Sequence, residues 1–237
     1  MNAHIFIVFH KNIFDDCYIN IPQDMLDKYF TFIAVNENIP KIYTQNKYRV
    51  INEWELPIYD KTFQERGYNE NSAIYHIYAN NLHRNYDYVE FFQYDMVFNN
   101  NVVDFLEKNI SPTPSCFNVG VGSFVFCCYE TWNEPFTLQY ILNDYEEFYN
   151  KSFSEQNQYP LCNSFVIPVE TFEKIMKWVT QLYDKLYPWC VEKPNATHLS
   201  HLGGIYERIM ALAIGEENLN NIYLDVSHNH GYKKLAY

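Results

Sequence analysis

Residues 86–96 read YDYVEFFQYDM. The middle part of this stretch, Tyr88–Phe92, is largely apolar, and the stretch then ends abruptly at the carboxylate Asp95. A short apolar run without alternation predicts a strand that is buried on both faces of a sheet. Ligands of open α/β sheets bind beyond the carboxyl ends of the strands. We therefore expect this strand to present Asp95 at a ligand-binding edge.

Similar apolar runs alternate with helical patterns along the rest of the chain. Further strands are predicted at residues 5–9, 30–35, 118–129, 164–169 and 221–226, and helices at residues 71–82, 102–108, 172–186 and 203–214. Residues 54–68 contain Pro57 and Gly67 and predict a loop. This order predicts an α/β fold with a central, mostly parallel mixed sheet flanked by helices. No linker rich in Pro, Gly or Ser divides residues 1–237, so we expect a single domain.

The composition excludes several classes of protein. Of 237 residues, 48% are apolar and 19% are charged, which excludes a disordered tail, a collagen-like fibre and a charged coiled coil. The net charge of −12 offers no attraction to a phosphate backbone, so we expect no nucleic-acid partner. No apolar run approaches the ~18 residues that a membrane helix needs, so we expect no transmembrane segment. The apolar run at residues 4–9 is too short for a secretory signal.

The cysteines favour a reducing compartment. None forms a CxxC pair, and most lie in apolar runs; they are Cys17, Cys116, Cys127, Cys128, Cys162 and Cys190. Their spacing does not match a zinc site, so we expect free, buried thiols and a cytoplasmic protein.

Asp95 is the first candidate for chemistry. A carboxylate at the end of a buried strand can hold a divalent cation and leave other cation positions open for a diphosphate. The alternative interpretation is a strand-end Asp that caps the next turn. The spacing alone leaves both interpretations open.

His228 and His230 follow the last predicted strand, and Lys233 and Lys234 come shortly after. Imidazole is a good ligand for manganese or zinc, and a lysine can neutralise a phosphate. The alternative interpretation is a polar C-terminal tail that frays.

Glu207 follows Gly203 and Gly204, which allow a tight helix entry and the close approach of a ligand. A carboxylate early in a helix is also favoured by the helix dipole, whatever its function. Glu207 is therefore a candidate catalytic carboxylate or a helix-start residue paired with Arg208. The same two interpretations apply to Glu70, which begins a predicted helix.

His10 and Lys11 follow the first predicted strand and are placed to contact a nucleotide base or phosphate. A simple strand-end polar pair explains them equally well. The sequence contains no GxGxxG, P-loop, GxSxG or HExxH motif. Binding of a diphosphate through a bridging metal is the chemistry that remains.

Four segments in this order resemble GT-A fold glycosyltransferases. They are Phe9–Lys11, the helix entry at Asn69–Tyr75, the strand Tyr86–Met96, and Gly203–Arg208. The resemblance is to the capsid-glycan glycosyltransferases of large DNA viruses (chlorella-virus type) and to related bacterial polysaccharide glycosyltransferases. It implies a single GT-A, Rossmann-like domain, with a nucleotide-sugar-binding half at about residues 1–100 and an acceptor-binding half at about residues 101–237.

The resemblance also implies substrates, a cofactor and site residues. The donor would be a nucleotide-diphosphate sugar, usually UDP-linked, and the acceptor an oligosaccharide or glycoprotein, here a viral capsid glycan in the cytoplasm of the host. The cation would be Mn²⁺ or Mg²⁺, bound by Asp95 with His228 or His230, and Glu207 would be the catalytic base. The donor would lie against His10, Lys11, Glu70, Gln93, Tyr94 and Lys233. The family's Asp-x-Asp metal motif is Gln93-Tyr94-Asp95 here, so its first carboxylate is missing.

Two other functions remain as alternatives. A nucleotidyltransferase of similar fold would open with a glycine-rich basic loop, which is missing after Phe9. A non-catalytic carbohydrate-binding or capsid-associated module is the second alternative, and the missing first carboxylate of the metal motif keeps it open.

Overall fold

The computed structural model describes residues 2–35, 37, 47–123, 135–154, 157–191, 202–229 and 231. The strands are β1 Ala3–Phe9, β2 Phe30–Ala34, β3 Val50–Asn52, β4 Tyr88–Gln93, β5 Met96–Phe98, β6 Ser115–Asn118, β7 Val121–Gly122, β8 Tyr159–Pro160, β9 Phe165–Pro168, β10 Asn220–Tyr223 and β11 Val226–His228. The helices are α1 Gln23–Tyr29, α2 Thr62–Glu65, α3 Glu70–Ala79, α4 Val102–Asn109, α5 Pro135–Tyr149, α6 Val169–Val191 and α7 Leu202–Gly215. Short 3-10 helices lie at Asp15–Tyr18 and Glu53–Glu55.

Seven strands form the central sheet in the order β10-β6-β9-β4-β1-β2-β3. Strand β9 is antiparallel to both of its neighbours, and the other pairs in this sheet are parallel. Two further pairs, β11-β5 and β7-β8, form small antiparallel sheets. The expected α/β fold with a mostly parallel mixed sheet is confirmed.

Helices cover both faces of the central sheet because alternate residues of β1 and β4 enter two different apolar clusters. Phe6 and Phe91 belong to the first cluster, which α3, α6 and α7 complete. Ile7 and Phe92 belong to the second, which α1 and α4 complete. Full burial of such a side chain contributes roughly 1.5–3 kcal/mol. This two-sided burial explains why the strands appear in the sequence as continuous apolar runs.

The longest helix, α6, confirms the prediction made from helical spacing. Its apolar positions are fully buried at Phe172, Ile175, Met176, Val179, Leu182 and Leu186. The predicted strands at residues 5–9 and 30–35 and the helices at 71–82, 102–108 and 203–214 are also present within a few residues of their expected bounds.

Three expectations need correction. The strand expected at residues 118–129 ends at Asn118, and Val121–Gly122 pairs with β8 outside the central sheet; residues 124–129 lie outside the described part. The strand expected at residues 221–226 is divided between β10 and β11, which belong to different sheets. The loop expected at residues 54–68 contains α2. Hydrophobic pattern finds apolar runs, but it does not reveal where a chain leaves one sheet for another.

Among the residues that the structure describes, no helix is long and apolar enough to span a bilayer. Cys17, Cys116 and Cys162 are free thiols, and the first two are buried. The other three cysteines lie where side chains are outside the described part of the chain.

Candidate active site

The sheet brings the segments that follow β1 and β4 to one edge. Strands β1 and β4 are parallel neighbours with Val8 opposite Gln93, so the residues that follow both strands meet at the carboxyl edge. The rings of His10 and Tyr94 lie there at right angles, with centroids 6.0 Å apart. Tyr94 is buried, Gln93 is half-buried and Lys11 is exposed.

Asp95 and His228 are held together by the pairing of β5 and β11. Met96 lies opposite His228 in that pair, and the backbone N–H of Asn229 donates to the Asp95 carbonyl at 2.9 Å. This places His228 Nε2 2.7 Å from Asp95 Oδ2. Asp95 is only 2% exposed, and its second oxygen, Oδ1, accepts no hydrogen bond from any described residue. A buried carboxylate oxygen without a donor has an unused capacity for a cation or a proton.

His10 makes a second pair with a carboxylate at the same edge. Its Nε2 lies 3.5 Å from Oε1 of Glu70, and both side chains are largely buried. Glu70 is the first residue of α3, which begins after Asn69 in a left-handed conformation, with φ of +52°. The helix entry predicted from the sequence therefore delivers Glu70 to His10.

Gly203 allows the start of α7 to pack closely against the turn between α2 and α3. Its N–H donates to the carbonyl of Gly67 at 3.0 Å, and its carbonyl accepts from Asn71 Nδ2 at 3.0 Å. A Cβ at this position would lie 2.6 Å from Asn69 Nδ2, which no side chain tolerates without movement. This contact sets the position of Glu207 one turn further along the helix.

Glu207 accepts a hydrogen bond from Arg208 Nη1 at 2.6 Å. The charge of Glu207 also affects the thiol of Cys162, a residue with a left-handed backbone conformation just before β9. Burial first, and then the charge of Glu207, raise the pKa of the Cys162 thiol to about 11; Asp95 adds to this and Arg208 opposes it. Glu207 and Asp95 therefore act on the same thiol, although 112 positions of the sequence separate them.

An open cleft of about 410 Å³ lies at the ends of β1 and β2. The carboxyl edge of β1 and β4, where His10, Tyr94 and Asp95 lie, is called the Asp95 edge. The lining of the cleft includes His10 from this edge. Its other described residues follow β2 or lie around α2: Val35, Glu37, Tyr59, Lys61, Gln64 and Glu65. Burial raises the pKa of Tyr59 to about 12, so this hydroxyl keeps its proton at neutral pH. The cleft thus offers an aromatic face and several polar groups next to the Asp95 edge.

The described part of the chain holds no cluster of three or more His, Cys, Asp or Glu residues that could bind a metal ion. Asp95 and His228 supply one carboxylate and one imidazole, a donor set that suits Mn²⁺. His230, Lys233 and Lys234 lie outside the described residues, so their expected roles stay predictions.

Apart from His10, the described residues that line and support the cleft have no clear signal in the sequence. Tyr59, Lys61 and Gln64 lie in the segment that was expected to be a loop, and Glu53 precedes it. The helix α2 has only four residues, too few for a periodic signal. A run of polar residues around Gly67 and Pro57 was the only hint in the sequence.

Comparison with known proteins identifies a likeness of fold. No protein-family model matches the chain, and no curated protein matches its sequence. Among solved structures, the chain is similar to the apo structure of the bifunctional glycosyltransferase WbbM, with a TM-score of 0.63 and 15% identity over 97% of this chain. The chain spans 46% of the WbbM chain. A weaker likeness is to apo mouse xyloside xylosyltransferase 1, with a TM-score of 0.42 and 13% identity over 92% of this chain and 82% of that one. The α/β architecture described here is thus one that a glycosyltransferase also adopts.

Proposed function

We propose that this chain is a glycosyltransferase that moves a sugar from a nucleotide-diphosphate sugar, with UDP as the nucleotide, to a glycan or glycoprotein acceptor. The observation that carries the proposal is the placement of Asp95 and His228, 2.7 Å apart, at the sheet edge that also borders the open cleft. The fold shared with WbbM supports it. The resemblance of the sequence to viral capsid-glycan enzymes is the basis for proposing a capsid glycan as the acceptor.

The cleft is the proposed site of the nucleoside. Its volume of about 410 Å³ lies within the usual range for small-molecule sites, and it lies at the carboxyl ends of parallel strands. The lining residues that the structure describes all come from the first hundred residues, which fits the division into a donor half at about residues 1–100 and an acceptor half at about residues 101–237. Tyr59 offers a ring for stacking, and Lys11 and Lys233 are the proposed phosphate contacts.

Asp95 and His228 would hold a Mn²⁺ or Mg²⁺ ion, with His230 as a third candidate ligand. The unpartnered Oδ1 of Asp95 supports this assignment, because a buried oxygen without a donor is costly unless something binds it. When bound, the cation would neutralise the charge that develops on the departing diphosphate. Asp95 and His228 would then bind the same cation, His228 through the lone pair of Nε2. The hydrogen bond between the two side chains would be broken.

Glu207 is the proposed catalytic base. It would take the proton from the acceptor hydroxyl as that oxygen attacks the sugar. One oxygen, Oε1, is held by Arg208, and no described residue donates to the other oxygen, Oε2. Glu70, Gln93 and Tyr94 are the remaining residues proposed to line the donor, and the contact between His10 and Glu70 would orient the histidine towards it.

The test is calorimetric titration of UDP with and without Mn²⁺ into the wild-type protein and into Asp95→Asn. The exposed Asp24 on α1 provides a matched control, Asp24→Asn. We expect Mn²⁺ to raise UDP affinity in the wild type and the control by about tenfold or more, and to have no effect in Asp95→Asn. Hydrolysis of UDP-sugars in the presence of Mn²⁺ should follow the same pattern.

Other outcomes would change the proposal in defined ways. Tight binding of GDP in place of UDP would keep the glycosyltransferase and change the donor. Binding of no nucleotide under any condition would contradict the proposal and favour a non-catalytic carbohydrate-binding module.

A further inference from the structure

The side chain of Gln64 is held in one orientation at the cleft. Its Nε2 donates to Oε2 of Glu53 at 3.0 Å and to the carbonyl of Asn69 at 3.5 Å. Both partners are acceptors, so the reverse orientation would place the amide oxygen against two other oxygens. The amide oxygen Oε1 is therefore the polar atom that Gln64 leaves for the cleft, and no described residue donates a hydrogen bond to it.

A fully buried network fixes Glu53, and through it Gln64. Oε1 of Glu53 accepts from Ser72 Oγ at 2.5 Å and from His76 Nδ1 at 2.8 Å. His76 Nε2 accepts from the backbone N–H of Asp60 at 2.9 Å, so Nδ1 must carry the ring proton. The side chains of Glu53, Ser72 and His76 are all 0% exposed. Rotation of any member would leave a buried polar group without a partner, which keeps the network in this arrangement.

The other polar side chains in the described lining of the cleft each contact a neighbouring side chain. The Tyr59 hydroxyl donates to Glu37 at 3.5 Å, and Lys61 pairs with Glu65 at 3.2 Å. His10 pairs with Glu70. Among the described residues that line the cleft, Glu37 and Glu65 are exposed carboxylates that are each paired through Oε1, whereas Gln64 presents a neutral amide oxygen held in one orientation.

We propose that Gln64 is the residue that selects the base of the donor, by accepting a hydrogen bond from the imide N–H of uracil at Oε1. This inference rests on the proposed function, which places the nucleoside in the cleft. Uracil presents one ring N–H between two carbonyl groups, which a single amide oxygen matches. Cytosine has a bare lone pair at that ring position and would repel Oε1. Guanine presents two adjacent donors, which a carboxylate satisfies better than one amide oxygen.

The test is calorimetric titration of four nucleotides, UDP, N3-methyl-UDP, CDP and GDP, with Mn²⁺ present. The proteins are the wild type, Gln64→Leu, and the control Gln139→Leu, which removes an exposed amide on α5. We expect the wild type and the control to bind N3-methyl-UDP and CDP about tenfold more weakly than UDP. Gln64→Leu should bind UDP about tenfold more weakly and should no longer distinguish it from N3-methyl-UDP.

The outcomes separate this inference from the proposed function. If the wild type binds UDP but Gln64→Leu still distinguishes UDP from N3-methyl-UDP, Gln64 does not select the base, and the proposed function stands. A preference for GDP that Gln64→Leu abolishes would overturn the choice of uracil. If the wild type binds no nucleotide, both proposals fail. Gln64→Met is the second variant, because it keeps the side-chain length. The affinities of the wild type for UDP and N3-methyl-UDP can be compared without any variant.

Discussion

His228 Nε2 lies 2.7 Å from Asp95 Oδ2, in a hydrogen bond between residues 133 positions apart. The strand pair β5-β11 creates this contact, because it brings the last residues of the described chain back to the end of β4. Two roles for His228 are compatible with this contact. The histidine either orients the carboxylate or binds a cation together with it. The two roles predict different effects of His228 variants on the Mn²⁺ dependence of UDP binding.

Replacement of His228 distinguishes the two purposes. His228→Gln keeps a side-chain N–H that can donate to Asp95, whereas His228→Ala removes both the donor and the imidazole. If His228 is a metal ligand, Mn²⁺ should no longer raise the UDP affinity of either variant, whereas it should raise that of the wild type by about tenfold or more. If His228 only orients Asp95, His228→Gln should behave like the wild type. Titration of UDP with and without Mn²⁺ measures the difference.

The pair of Glu53 and His76 should contribute strongly to stability. Glu53→Ala would leave the buried donors of Ser72 and His76 without their acceptor, and would remove one of the two acceptors of Gln64 Nε2. We expect the free energy of unfolding to fall by about 3 kcal/mol or more, since each buried unpaired group costs roughly 1–3 kcal/mol. Urea denaturation followed by circular dichroism measures it.

A nearby glutamate provides the matched control for Glu53. Glu65 is exposed, and its ion pair with Lys61 joins two well-solvated side chains. Glu65→Ala should change the free energy of unfolding by less than about 0.5 kcal/mol. Equal losses in the two variants would show that the buried network has no special weight.

The sequence predicted elements correctly where buried apolar residues follow a regular local spacing. The strand Tyr88–Phe92 and the helix around Met176 were found because apolar side chains recur at the spacing of each element. The edge that holds Asp95 followed from general topology, since parallel strands end together. The assignment of roles to these residues stays a prediction, because chemistry depends on ligands that a spacing pattern does not contain.

Long-range polar contacts account for what the sequence did not reveal. Glu53 and His76 are 23 positions apart and belong to no motif, so their pairing is visible only in three dimensions. The strand expected at residues 118–129 provides a second example of a long-range contact. Asn118 Nδ2 donates to Asn221 at 2.9 Å across the β6-β10 pair, and the chain then leaves the central sheet. No local pattern encodes such a change of partner.

Glu90 should make stability fall as the pH rises. Its carboxyl lies fully buried in the middle of β4, and neither oxygen has a hydrogen-bond partner among the described residues. Burial raises the pKa of this carboxyl well above its ordinary value of 4.5, so the folded protein keeps a proton that the unfolded chain releases above that pH. The free energy of unfolding should therefore decrease by up to about 1.4 kcal/mol per pH unit from pH 4.5 up to the pKa in the folded state.

Glu90→Leu tests this effect because it removes the titrating group and keeps an apolar side chain of similar size. The gain in unfolding free energy over the wild type should be larger at pH 8 than at pH 5, as measured by urea denaturation. Glu170 is exposed in the first turn of α6 and supplies the control, Glu170→Leu, whose effect should be the same at both pH values. A gain for Glu90→Leu that does not change with pH would contradict the assignment of a buried neutral carboxyl.

Gly203→Ala should loosen the junction between α7 and the cleft. The new Cβ would lie 2.6 Å from Asn69 Nδ2 and 3.2 Å from Asn69 Cβ, so the start of the helix or the turn must move. Asn69 also accepts the second hydrogen bond of Gln64, at 3.5 Å, and its own left-handed backbone leaves it little freedom. We expect a loss of about 1–3 kcal/mol in unfolding free energy, the usual cost of overpacking.

Gly120→Ala is the control for Gly203→Ala, because a Cβ at Gly120 would meet no atom within 4 Å. That variant should stay within about 0.5 kcal/mol of the wild type. Because Asn69 connects Gly203 to Gln64, the Gly203 variant should also bind UDP more weakly at a temperature where it is fully folded. Unchanged UDP affinity in a destabilised Gly203→Ala would mean that the start of α7 supports the fold but has no influence on the cleft.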